Sequence, residues 1–132
     1  MVIRVIFLLS IFSLLVGSAF PQVPKANLGE FHKNIGPVLK AACVQCHGPT
    51  KQKAKFRVDT LDPNLLKGKD VSWWLEVQGV LTNGEMPPPD SDVKLSDADR
   101  IKVIDWLADE IRGASEVRRA EGNHSTFRRM TR

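Results

Sequence analysis

The sequence predicts an all-α domain of a few short helices joined by long loops wrapped around a buried cofactor, and three observations carry that prediction. Apolar residues recur at intervals of three and four in three separate stretches, the spacing of helices with one buried face. The segments between them are rich in glycine and proline, and the one alternating run, Phe56-Arg57-Val58-Asp59, has no evident partner strand. The third observation is Cys43-Val44-Gln45-Cys46-His47, since C-x-x-C-H is the attachment pattern of c-type haem. A domain of roughly 90 ordered residues is near the size at which an apolar core alone is marginal. A porphyrin would supply the missing centre and make the long loops tolerable.

Taken in order, residues 1–19 read as a secretory signal peptide: one positive charge near the start, an apolar run from Val5 to Val16, and small residues at Gly17-Ser18-Ala19. An uncleaved membrane anchor is the alternative, but the apolar run falls short of the roughly 20 residues that span a bilayer. Residues 20–27 form a polar, proline-containing lead-in. Leu28, Phe31, Ile35, Val38, Leu39 and Ala42 then mark a first helix leading into the cysteine motif. Gly36-Pro37 interrupts it, so either the helix kinks there or its regular part begins at Pro37. Residues 48–55 are a loop holding three lysines, 56–59 an extended segment or short strand, and Asp62-Pro63-Asn64 a turn or short helix ended by Gly68.

Ser72 is the expected N-cap of a second main helix whose apolar positions are Trp73, Trp74, Val77, Val80 and Leu81, with Asn83-Gly84 ending it. Ser96-Asp97-Ala98-Asp99 resembles a capping box for the last helix. Its expected buried face is Ile101, Ile104, Leu107, Ala108 and Ile111, with Val103 and Trp106 alongside, and Gly113 is expected to end it. The domain thus runs over residues 28–113, leaving 114–132 as a basic linker or the start of a missing following domain.

The spacing of Cys43 and Cys46 lets two thiols form thioethers with one porphyrin, while the adjacent His47 turns its imidazole onto the iron. A zinc site needs further ligands at suitable spacing, yet His32 and His124 are isolated and no second C-x-x-C exists. A dithiol redox motif needs alternating strands and helices, which the flanks do not offer. These are the only cysteines in the chain. Attachment of haem outside the bacterial cytoplasm agrees with the export signal, which implies a periplasmic or otherwise exported protein.

With His47 on one side of the iron, the candidate for the other is Met86 in Gly84-Glu85-Met86-Pro87-Pro88-Pro89. The glycine permits a sharp turn and the prolines leave the loop few alternative conformations, so the thioether is presented at low ordering cost. Histidine with methionine raises the reduction potential and closes the iron to small molecules. Met1 lies in the signal segment, Met130 in the tail, and His32 at the wrong end of the first helix. A core methionine filling a gap is the alternative role for Met86.

The net charge of +4 comes from 19 Lys and Arg against 15 Asp and Glu, and it belongs to the tail, where residues 112–132 hold six arginines against Glu116 and Glu121. No aromatic interleaving accompanies that charge, so nucleic acid is not an expected partner; a solvated linker is, with partner docking as the alternative. The three lysines of residues 51–55 are a solvated loop or a docking face for an acidic redox partner.

Cys43-Val44-Gln45-Cys46-His47-Gly48, Lys55-Phe56-Arg57-Val58-Asp59-Thr60, Gly84-Glu85-Met86-Pro87-Pro88 and residues 95–111 with Ile104-Asp105-Trp106-Leu107 together resemble the planctomycete-type cytochrome c domain. The resemblance covers residues 28–113 and implies a class I cytochrome c fold, its first and last helices crossing near Phe31 or Trp106. It implies haem attachment at Cys43 and Cys46, proximal ligation by His47, and distal ligation by Met86. Phe127-Arg128-Arg129-Met130-Thr131-Arg132 resembles the opening of the domain that follows this module in large exported planctomycete proteins.

The expected function is one-electron transfer by a single covalent haem c and its iron, in an electron carrier that is not an enzyme by itself, since no acid, base or nucleophile constellation is present. Its partner is then a redox protein or a fused enzyme domain, with membrane contact only if the signal segment stays uncleaved. Two alternatives remain at this point: a redox module of a larger secreted oxidoreductase or polymer-degrading protein, and a haem sensor or peroxidase-like site with an open sixth position.

Overall fold

Asn27 starts the fold. Its side-chain oxygen accepts the Glu30 N–H at 3.1 Å, capping α1 (Leu28–Glu30). The computed structural model describes residues 23–122, so the signal segment, His124, Met130 and the arginine-rich end of the tail lie outside the described residues. The chain continues through a widened, π-helical turn (Phe31–Ile35) into α2 (Gly36–Ala42). The interruption read at Gly36-Pro37 is therefore a distortion within one helical run. Pro37 has no N–H, and in a regular helix its ring would crowd the carbonyl four residues back. One extra residue in the preceding turn relieves this, and the Gly36 N–H reaches back to the Phe31 carbonyl instead.

After the cysteine motif the chain runs through two short 3₁₀ turns (Lys53–Lys55 and Val58–Thr60) before α3 (Val71–Thr82) and α4 (Asp97–Ala120). No strand forms among the described residues; only Phe56 and Arg57 of the alternating run are extended. The turn at Asp62 is gripped on both sides of one residue. Its N–H donates to the Asp70 carboxylate at 2.9 Å, and its carbonyl accepts the Trp74 indole N–H at 2.7 Å.

α3 accordingly begins directly after Asp70 and not after Ser72, and no side chain caps it. Val71 is buried and must enter the helix, and the Asp70 carboxylate is committed to Asp62. Asn83 closes α3 as expected, with Gly84 following in the left-handed region at φ 70°. The Ser96 cap is also as expected: its hydroxyl oxygen accepts the Asp99 N–H at 3.1 Å.

Two expectations for the last helix need correction. The buried stripe is Val103, Trp106, Leu107, Glu110 and Ala114, while Ile101 is 57% exposed and Ala108 is exposed. The face is rotated because α4 must bring Trp106 against Phe31 and Trp74. The three rings lie 5.2, 6.1 and 5.8 Å apart between centroids, mostly edge to face. Phe31 and Trp106 thus meet at the crossing of the first and last helices. The helix also passes through Gly113, which keeps helical geometry with Pro24 and Leu66 lying against it, and ends at Glu121 and Gly122. Gly113 is thus an interior residue of α4 and not its end.

Ile35, Leu65, Trp74, Val103 and Leu107 are fully buried at the centre of the core. No helix among the described residues is long and apolar enough to cross a membrane. Glu110 is the buried charged residue of this core, and its carboxylate accepts the Asn27 N–H at 3.0 Å, tying the lead-in to α4.

Burial pushes the Glu110 carboxyl above its usual range, against the Asn27 N–H, which favours the charged form, and with a smaller push from Asp109. A raised acid keeps its proton in the folded state at pH values where the unfolded chain has lost it. Its ionisation therefore lowers stability as pH rises through that window. Glu110→Gln keeps an acceptor for Asn27 without the charge. The haem-loaded variant should melt above the parent at neutral pH and level with it below about pH 4, where the ordinary carboxylate is protonated. An advantage independent of pH would contradict this origin.

Candidate functional site

The cysteine motif is the continuation of α2 into a tight turn. The Cys43 N–H closes the helix on the Leu39 carbonyl at 2.8 Å, and the Cys43 carbonyl then accepts from Cys46 at 3.1 Å and His47 at 2.9 Å. The loop beyond folds back on this turn: the Cys46 carbonyl accepts from Lys53, and the His47 carbonyl from Val58, each at 2.9 Å. His47 is thus held by backbone bonds on both sides of its own peptide.

Gly48 is what allows the turn to close. A Cβ at this position would run into the Val44 carbonyl oxygen and lie 2.6 Å from Val44 Cγ1, whereas at Gly79, within α3, it would meet nothing within 4 Å. Gly48→Ala should cost about 1–3 kcal/mol by overpacking and displace His47. Gly79→Ala should be neutral or stabilising by up to about 1 kcal/mol. Melting temperature and the fraction of chain bearing covalent haem report both. Equal behaviour of the two variants would show that the contact with Val44 does not matter.

The side chain of His47 has its own partner. Nδ1 lies 3.0 Å from the Lys53 carbonyl oxygen. A carbonyl only accepts, so the proton sits on Nδ1 and the lone pair is left on Nε2. Directly after Lys53, Ala54 and Lys55 both adopt left-handed backbone, at φ 56° and 55°. This is uncommon for residues with a Cβ and is paid for by the surrounding contacts. The ring of Phe56 stands edge-on to His47 at 5.4 Å, and Trp73 lies over Phe56 at 5.1 Å.

These elements line a half-open cavity of about 480 Å³, within the range of small-molecule and cofactor sites. Cys43, His47 and Met86 line it together, beside Phe56, Val58, Val77, Val80 and Leu81. Three of the four sequence-predicted site residues therefore share one apolar space. Cys46 lines a smaller polar cavity of about 260 Å³ next to it, with Lys51, Lys53, Asp90 and Asp92. Burial, with Cys46 adding to it, pushes the Cys43 thiol up to about 11, so it stays uncharged near neutral pH. His32 is exposed, packs on Phe31 at 5.5 Å and does not line the cavity. Among the described residues, no group of three His, Cys, Asp or Glu is placed to hold a metal ion.

Met86 is delivered by the loop between α3 and α4. Its N–H donates to the Val80 carbonyl at 3.3 Å, and its own carbonyl accepts from Arg100 of α4 at 2.7 Å. Sequence reading missed the Lys53 carbonyl, Arg100 and the aromatic wall of Phe56 and Trp73. Only the last left a signal: Trp73 directly precedes Trp74 in the helix, so both cannot face one core, and Trp73 is 46% exposed.

A family model described as Planctomycete cytochrome C matches residues 43–90. The match runs from the first cysteine of the motif past Met86 and bears out the resemblance read from the sequence. Over these residues the chain is similar to that family, the helical architecture of the described residues is consistent with the cytochrome c type, and the match suggests a haem-based redox role. No curated protein and no solved structure matches the chain.

Proposed function

We propose that the domain is an exported one-electron carrier, holding a single haem c by thioethers from Cys43 and Cys46 with His47 and Met86 as axial ligands. The observation that carries this reading is that His47 and Met86, from opposite ends of the matched segment, line one apolar cavity together with Cys43. The donor chemistry fits the group. Thioethers are neutral, so the burial that opposes a Cys43 thiolate does not oppose attachment there.

When bound, haem supplies a ferric–ferrous couple whose potential is raised by a thioether axial ligand. The chain's own residues do the rest. The Lys53 carbonyl holds the Nδ1 proton of His47, leaves Nε2 free to ligate and fixes the ring plane. Phe56, Val58, Val77, Val80 and Leu81 give the cavity an apolar wall, which raises the cost of gaining a net charge against it. Lys51, Lys53 and Lys55 are exposed on the loop beside the motif and offer positive charge to an acidic redox protein or fused domain. The apolar segment of residues 1–19 supports a periplasmic location.

The test is a reduced-minus-oxidised spectrum of the full chain matured in a periplasm, together with the mass of the denatured peptide spanning Cys43 and Cys46. The peptide should carry one haem, and the spectrum should be that of a six-coordinate c-type centre. A peptide of unmodified mass ends this reading.

A further inference from the structure

We propose that Arg100 is the positioning residue for Met86, acting through the backbone of its loop; the inference deepens the reading of Met86 as distal ligand and rests on it. Arg100 sits in the first turn of α4, its own N–H bonded to the carbonyl of the cap residue Ser96 at 2.9 Å. Its Nη1 donates to two carbonyls at once, Met86 at 2.7 Å and Leu81 at 3.0 Å. The first belongs to the ligand loop and the second to the last turn of α3. One nitrogen thus fastens the loop, the end of α3 and the start of α4 together.

Pro87, Pro88 and Pro89 have no N–H, so the three residues after Met86 donate nothing, and the loop beyond closes only further on, with the Ser91 N–H on the Pro88 carbonyl at 3.0 Å and Lys94 Nζ on the Pro89 carbonyl at 3.3 Å. On the other side, the Glu85 and Met86 N–H groups both reach the Val80 carbonyl, at 2.9 and 3.3 Å. With Arg100 on its carbonyl, both polar groups of the Met86 backbone are anchored, one to each of two helices that pack on each other. The carbonyl ends of α3 carry partial negative charge, which favours a cation at this point. Guanidinium rather than ammonium suits the position, because its planar NH₂ presents two protons in fixed directions. Arg100 therefore sets where the thioether stands without reaching it.

The experiment compares the haem-loaded full chain with its R100M, R100K and M86L variants. Two quantities are followed: the pH at which the ferric protein loses its weak red charge-transfer band, and amide hydrogen exchange at Glu85 and Met86 against Val77 and Val103. R100M should lose the band at least about one pH unit lower, a tenfold shift in the ligation equilibrium. It should also exchange about tenfold faster at Glu85 and Met86 while Val77 and Val103 keep the parent rates, with R100K intermediate. Three results overturn the proposal: an unshifted band in R100M, exchange accelerated uniformly through α3 and α4, or R100K indistinguishable from the parent, which would mean that charge alone suffices. M86L separates the underlying reading. If it keeps the band, Met86 is not the ligand, while the exchange data still decide whether Arg100 fixes the loop.

Discussion

Without covalent haem the full chain should lose cooperative unfolding, and the double variant C43A/C46A should behave as the wild-type chain does when it is made without haem maturation. The reason is the place of the cavity. About 480 Å³ of apolar-walled space lies between the cysteine turn, the Phe56–Val58 segment and α3. Left unfilled, the walls of this half-open apolar space lose packing partners and face water, a loss that weighs heavily on a small domain whose whole stability is about 5–15 kcal/mol. The Phe31, Trp74 and Trp106 cluster on the far side of α3 does not depend on the cavity, so local helix should survive. The expected result is retained far-ultraviolet dichroism with a reduced near-ultraviolet signal, since Trp73 at the cavity wall loses its fixed surroundings, and a broad, shallow thermal transition. A sharp transition with native near-ultraviolet signal in the haem-free chain would show that the helices alone specify the fold.

What could be read in advance follows the range over which each signal acts. The cysteine motif, the Ser96 cap and Gly84 are local, each set by a few neighbouring residues, and each stands where expected. The crossing of Phe31 and Trp106 was legible through resemblance. The failures are places where a distant residue decides. α3 starts directly after Asp70 rather than after Ser72, without a side-chain cap, because buried Val71 is drawn into it while Asp62, eight residues earlier, holds the Asp70 carboxylate. Gly113 lies inside α4, where the next residue, Ala114, is buried, so a residue that often ends helices is here carried through by the packing beyond it. The buried face of α4 is turned toward Trp74, and Ile101 is left outside despite its apolar side chain. The Lys53 carbonyl leaves no trace in sequence at all, since every residue has one, and only the left-handed pair after it reveals that the backbone there is unusual.

Replacing Met86 has the second large expected effect, and the choice of replacement decides what is learned. Met86→Ala removes volume and sulfur together, so a spectral change there could come from a collapsed loop. Met86→Leu preserves volume, and such swaps usually cost under 1.5 kcal/mol; the bonds to Val80 and to the Arg100 guanidinium use only the backbone of residue 86 and persist. If Met86 were a gap-filling core residue, Leu would leave the spectrum and potential unchanged. If it is the distal ligand, both variants lose the red ferric band. The potential should then fall on the order of 0.1 V, a fraction of the roughly 0.8 V that axial ligands span, and the ferrous protein should take up carbon monoxide readily. The two readings therefore separate on Met86→Leu: a ligand cannot be replaced by its hydrocarbon outline, and a filler can.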